Sequence, residues 1–432
     1  MADSGRPLAL PRGFHDIDPT RMAVYQTLQQ EWFNACSLAG YQPVCVPPVG
    51  FAETFTTGHH AAGQKLYQFA DRRGRNLALV SDSLPAVLRL ARARNLPDQR
   101  LSYCCPIFRY ERRPRRHFHH LGLMEVLERP IHLAGQYRAT SRLAQVITGF
   151  LASRVPVTFT VTDPGLWHAM VATATPASRV AGVLDSLRRL SPQQRPDQLR
   201  QDGAPATLVR LAELLAADPA LAGGTDGRRV IDALPQAFHD RITGSRNLAD
   251  VLRRQGAEAE VDLGCLHASE FHDGPSFLLR PRSQQRLLGD GGAYGYFAQA
   301  FLGTPTAVHS AVIGLERLAD LTATGDVITP ADIAVLARPE PATIIHADRL
   351  TAALRAAGIA VWDLIQTKNL EKHLRDIAAL AIPHSVLIGP QELSSASYTI
   401  RDTTGTLHAV PEHELGAWLT RRRSRSSREP AD

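Results

Sequence analysis

The chain has 432 residues, of which 44% are hydrophobic and 21% charged, with a formal net charge of +6 and a sequence pI of about 9.2. This is the composition of an ordinary soluble protein with room for two or three domains, each with its own core. No apolar run approaches the roughly 20 residues that a membrane-spanning helix needs, and no basic stretch followed by an apolar core opens the chain, so a cytoplasmic protein with no membrane partner is expected. Five cysteines, with Cys104 and Cys105 adjacent and no CxxC pair, argue for reduced thiols and against a disulfide framework or a zinc site. Cys45 and Cys265 are expected to be small core residues. The positive charge permits a polyanionic partner without establishing one.

In chain order, residues 28–38 have helical periodicity, and Gly40-Tyr41 marks a turn into a strand at 44–46. Residues 66–69 and 77–80, separated by Asp71-Arg72-Arg73-Gly74-Arg75, read as a hairpin, and a helix follows over 84–93. Residues 106–110 favour a strand whose period of two puts Arg109 and Glu111 on one face and Phe108 and Tyr110 on the other, toward the core. A strand at 157–161 precedes a long stretch, 166–237, that is helical in pattern and interrupted only at turn residues. The glycine-rich segment 287–298 returns to a sheet. Residues 311–313 form a strand turning at Gly314 into a helix that begins near Leu315. Beyond residue 342 come Thr343-Ile344-Ile345, a helix over 349–357, a strand at 360–364, a helix over 370–380 and a strand at 385–388, which together indicate a small α/β domain with mainly parallel pairing. The end, from Thr420 to Arg428, holds five arginines and no apolar residue and reads as a solvated, disordered tail.

Two distant pieces carry the chemistry. A guanidinium at Arg109 can clamp a phosphate bidentately, and a carboxylate at Glu111 can accept from an adenine amino group. Gly314 allows close backbone approach, and Arg317 can lie flat over a purine ring. A metal cluster at His117, His119 and His120, which follow Arg115 and Arg116, would need a spacing that puts several imidazoles on one side; solvated loop and strand positions are the preferred reading and no metal site is expected. His59 and His60 lie in a small-residue loop, read either as a flap over the site or as an ordinary surface loop.

Pro106-Ile107-Phe108-Arg109-Tyr110-Glu111-Arg112 with Phe118-His119-His120-Leu121-Gly122 resembles motif 2 of class II aminoacyl-tRNA synthetases, and Ile313-Gly314-Leu315-Glu316-Arg317-Leu318 resembles motif 3. Pro11-Arg12-Gly13-Phe14-His15-Asp16 and the run from Gly40 to Pro47 are similar to the N-terminal signature and motif 1 of histidyl-tRNA synthetases. Gly389-Pro390-Gln391-Glu392-Leu393 resembles the anticodon-binding domain of class IIa enzymes, although its opening looks short. The resemblance implies an α+β fold: an antiparallel sheet flanked by helices, a helical insertion and a C-terminal α/β domain. The implied division is 1–165 and 241–335 for the catalytic core, 166–240 for the insertion, 340–420 for the anticodon-binding-like domain and 421–432 for the tail. It further implies a homodimer, ATP with Mg²⁺, and an insertion that lies over the acceptor stem of tRNA. Arg109 would hold the α-phosphate, with Glu111, Phe118, Glu316 and Arg317 completing the ATP site.

Between these motifs the family's residues are rewritten. Val80-Ser81-Asp82-Ser83-Leu84 stands where histidyl-tRNA synthetases have Arg-Pro-Glu-Gly-Thr, so Asp82 keeps a shorter carboxylate for an ammonium group and Leu84 replaces a hydroxyl, which costs roughly 1–3 kcal/mol where its partner is left unpaired. His267 stands at the catalytic arginine, and Phe271 and His272 replace paired tyrosines, while Glu270 still offers an acid. Gly291-Gly292-Ala293-Tyr294-Gly295 replaces Gly-Gly-Arg-Tyr-Asp. After motif 2, either one residue is extra or Met124 occupies the place of a substrate-binding glutamate; His120 and Glu125 are the candidate substrate contacts there. These features give an ATP-dependent ligase that activates an amino acid other than histidine for transfer to tRNA or another acceptor. The alternative is a noncatalytic subunit resembling the regulatory subunit of ATP phosphoribosyltransferase, though such subunits typically lack the C-terminal domain; an ordinary histidine-tRNA ligase ranks last.

Overall fold

The computed structural model describes residues 9–57, 65–94, 96–111, 115–173, 175–221, 231–232, 234–266, 272–322 and 329–426. The chain divides into two compact units, Met1–Ala323 and Thr324–Asp432.

The first unit is built on an eight-stranded sheet among the described residues, in the order Gln42–Val44, Asp98–Phe108, His117–Leu127, Ala307–Gly314, Gly289–Ala293, Ser276–Pro281, Val157–Thr162 and Glu258–Val261. The outermost pair at each end is parallel and every other pair antiparallel. Its spine is the hairpin of Asp98–Phe108 and His117–Leu127, in which Tyr103 faces Gly122, Cys105 faces His120 and Arg100 faces Glu125. Alternation sends Leu101, Tyr103, Ile107 and Met124 to one face, against the helix Ser83–Arg94. Leu121 and Leu123 go to the other, under the helices Pro19–Leu38 and Leu133–Leu151. The first of those helices starts at Pro19 behind the Asp18 cap, whose side chain accepts from the Arg21 N–H at 2.8 Å. It buries Tyr25, Leu28, Trp32 and Cys36, then turns at Gly40, whose φ of +81° suits glycine. The expected hairpin is present as Gln68–Ala70 and Asn76–Leu79, joined by Val49–Phe51 into a separate three-stranded antiparallel sheet.

The expected helical stretch lies between Val157–Thr162 and Glu258–Val261. Helices Pro164–Ala172, Ala177–Arg189, Arg195–Gln201 and Ala206–Ala217 gather around Trp167, Met170, Leu187 and Leu211 in a core of their own. The last helix of the stretch, Gln236–Arg254, belongs to both cores: Phe238 and Ile242 pack into the helical module, and Leu248, Ala249 and Leu252 into the main core.

Among the described residues the second unit has a five-stranded sheet in the order Val361–Ile365, Ile333–Ala337, His384–Ile388, Ser397–Asp402 and Leu407–Pro411, with the first three parallel and the last two joined antiparallel. Its opening strand is Ile333–Ala337, upstream of the expected boundary at 340, and Thr343-Ile344-Ile345 lies inside the helix Pro341–Ala356. The way this helix starts explains the second point. Pro341 opens its first turn, where a missing N–H costs nothing, and the Thr343 hydroxyl donates back to the carbonyls of Arg338 and Glu340 at 2.8 and 2.7 Å. The expected disordered tail is corrected over its first part. Residues 421–426 continue the helix Leu415–Ser426, in which Leu415 and Leu419 are buried and the Arg422 guanidinium lies 4.4 Å from the Trp418 ring centre.

Candidate functional site

The strand carrying motif 2 ends at Phe108, two residues earlier than expected, but its pairing continues, since the Arg109 N–H donates to the Arg116 carbonyl at 2.8 Å. Arg109 and Glu111 therefore keep the same face and line a cleft of about 2050 Å³ that also reaches Asp82, His120, Glu316 and Arg317. The opposite face does not sink into the core as expected: Tyr110 is 57% exposed. Cys45 is exposed as well and Cys265 half-buried, so neither is a core residue.

Within the cleft the charged groups are already partnered by the chain. The Arg109 guanidinium pairs with the Asp82 carboxylate at 3.1 Å, donates to the Ser81 carbonyl at 2.8 Å and lies 5.5 Å from the Phe118 ring centre. Glu111 pairs with Lys65 at 3.2 Å. Arg317 donates to the Leu287 carbonyl. Glu316 is held at both oxygens by His119, through its backbone N–H and its ring Nδ1, each at 2.8 Å. Burial pushes the Glu316 carboxyl up, and the His119 hydrogen bonds outweigh it and hold the group below its ordinary value.

His120 is not a solvated position. It is buried, its Nδ1 lies 3.1 Å from the Ser83 hydroxyl, and burial followed by the nearby Arg109 charge lowers its pKa to about 4, so it is neutral at pH 7. Ser83 donates to the Tyr103 hydroxyl at 3.3 Å, which lies 3.3 Å from the Ser310 hydroxyl. This polar chain runs beneath the cleft and depends on Gly122, because a Cβ there would sit 2.2 Å from the Tyr103 ring.

Glu125 is a correction. It faces away from the cleft, fully buried, where it accepts from Tyr41 at 2.7 Å and from Arg142 at 2.9 Å, with Arg100 at 3.7 Å. Met124 instead points toward the cleft side of the sheet. A one-residue shift on a strand has turned the carboxylate over. His267 and Glu270, like His59 and His60, lie outside the described residues.

Sequence reasoning missed Asp290. It lines the floor of the cleft from the strand Gly289–Ala293, and the alternation of that short strand was the signal that would have placed it there. Burial and the Asp82 charge raise its carboxyl to about 6 against the opposing pull of Arg109 and Arg317. The Asp82 pairing makes a further expectation measurable: Asp82→Asn frees the Arg109 guanidinium and tightens binding of an anionic nucleotide by about tenfold, near 1.4 kcal/mol, in calorimetric titration with ATP.

A mostly antiparallel sheet whose central hairpin offers Arg109 and Glu111, beside a strand-to-helix turn offering Glu316 and Arg317, defines a class II aminoacyl-tRNA synthetase fold. The family profile described as histidyl-tRNA synthetase matches residues 13–313, and that described as anticodon binding domain matches residues 333–422. The chain belongs to the histidyl-tRNA synthetase family. It is 30% identical over 385 residues to an ATP phosphoribosyltransferase regulatory subunit of Moorella thermoacetica, covering 83% of this chain and 92% of that one. It is 24% identical to a histidine-tRNA ligase of Corynebacterium urealyticum, covering 98% and 99%. In fold it is similar to histidyl-tRNA synthetase from Nostoc, with a TM-score of 0.73 at 16% identity and coverage of 96% and 100%.

Proposed function

We propose that this chain is a noncatalytic, synthetase-like regulatory subunit of the ATP phosphoribosyltransferase type, whose cleft binds a small ligand without forming an acyl-adenylate. The observation that carries this reading is the internal Asp82–Arg109 pair. A guanidinium that must hold a reacting phosphate does better facing an open site, and here it is neutralised by a carboxylate of its own chain. The similarity to the Moorella regulatory subunit supports the same reading and outweighs the presence of a C-terminal domain.

The ligase reading stands second, supported by the persistence of Arg109, Glu111, Phe118, Glu316 and Arg317 along one cleft. These residues fit a nucleotide in part: Arg317 and the Phe118 ring suit a purine, and Arg109 suits a phosphate once Asp82 releases it. In that reading ATP would supply the adenylyl group that activates an amino acid, with Mg²⁺ as counter-ion to its phosphates, and tRNA or another acceptor would take the acyl group. A homodimer and a cytoplasmic location fit either reading. Among the described residues no helix is long and apolar enough to cross a membrane.

The test mixes the full chain with an ATP phosphoribosyltransferase catalytic subunit from the same cell, and separately measures ATP-pyrophosphate exchange with each amino acid. The expected result is co-elution with the transferase, a change in its rate, and no exchange. Exchange with histidine or any other amino acid would return the ligase reading to first place.

A further inference from the structure

We infer that the floor of the cleft recognises a small organic cation, an amine or guanidinium compound, with the Asp290 carboxylate as its counter-ion. This rests on reading the cleft as a ligand-binding site and names the chemistry of the ligand. Asp290 lies between Gly289 and Gly291 on a strand whose glycines allow no larger neighbour: a Cβ at Gly289 would meet the Val312 carbonyl at 2.1 Å and one at Gly291 the Ala311 Cβ at 2.4 Å. It is thus the charged side chain that this strand presents to the cleft. Among the described residues it makes no hydrogen bond and no ion pair.

The two arginines within electrostatic reach of Asp290 are turned to other partners, Arg109 to Asp82 and Ser81, and Arg317 to the Leu287 carbonyl. His120 in the wall is neutral and adds no positive charge of its own, and the buried Tyr294 phenol, also within reach of Asp290, keeps its proton. Asp82 already has Arg109 as its partner, so the carboxylate left at the floor is Asp290, which would repel an anion and be neutralised by a cation. The raised carboxyl of Asp290, near 6, adds a sign to this. Asp82, Arg109, Arg317 and Tyr294 face the group. A bound cation favours the ionised form, so binding weakens as pH falls through 6, where the carboxyl must first lose a proton.

The test is calorimetric titration of the full chain at pH 7.5 with arginine, agmatine, lysine and cadaverine, alongside citrulline and norleucine, near-isosteres with neutral side chains. At least one cation is expected to bind ten times or more tighter than its neutral counterpart, and to weaken several-fold at pH 5.5. Asp290→Asn is expected to erase that preference and Asp290→Glu to retain part of it, with unliganded melting curves showing that both variants fold. Equal binding of cation and neutral isostere, no binding of any cation at millimolar concentration, or an unchanged preference in Asp290→Asn would overturn the inference. Modulation of the transferase without added ligand reports the regulatory reading separately, so the two can fail independently.

Discussion

Glu125→Ala lowers the stability of the unit that contains it by about 3–5 kcal/mol in urea denaturation, the scale on which breaking a buried ion pair from one side falls. The carboxylate is fully buried and accepts from the Tyr41 hydroxyl and two nitrogens of Arg142, with Arg100 nearby. Truncation strands the buried Tyr41 hydroxyl and leaves the Arg142 charge without its partner. Glu125→Gln keeps an acceptor for Tyr41 and should cost less. Burial raises the Glu125 carboxyl, but the bonds from Arg142 and Tyr41 prevail and depress it below its ordinary value. A depressed acid contributes stability that is present above the unfolded pKa and lost as pH falls through the folded one. The stability gap between the parent chain and Glu125→Gln therefore closes only under acid conditions below that ordinary value. A loss of ligand affinity at unchanged stability would return Glu125 to the cleft and contradict its placement.

Gly122→Ala destabilises the same unit by about 1–3 kcal/mol and also weakens ligand binding in the cleft, measured by melting and by titration on one preparation. The added methyl would stand 2.2–2.6 Å from three atoms of the fully buried Tyr103 side chain. The ring has to move, and its hydroxyl then leaves Ser83 and Ser310, so the hydroxyl pair that orients His120 loses its support. Tyr103→Leu added to Gly122→Ala should recover part of the stability but not the binding. Such non-additivity is the signature of two side chains in direct contact. Additive losses would place the cause elsewhere.

Much of the fold was legible because its elements obey simple periods. The motif 2 strand, the helix after Gly314 and the long helical stretch follow from alternation, a turn glycine and the absence of strand signals. The strand Ile333–Ala337 was not legible, because its five residues are buried on both faces and a uniform apolar run carries no period of two. The strands Ser397–Asp402 and Leu407–Pro411 escaped notice because polar residues on their outer face resemble loop composition. At the site, residue types were readable and their partners were not. Nothing near Arg109 in sequence announces that Asp82, 27 positions earlier, takes its charge, or that His119, on a strand far removed, hydrogen-bonds both oxygens of Glu316. Glu125 was misplaced for a geometric reason, since one residue of register decides which side of a sheet a side chain reaches.

The helix Gln236–Arg254 spans about 28 Å at 1.5 Å per residue, with one end anchored among the helices of the module and the other among those of the main sheet. Phe238 and Ile242 at one end and Leu248 and Leu252 at the other thus sit on one continuous element, so the helical module and the main core share a single structural member and are not two separately built pieces.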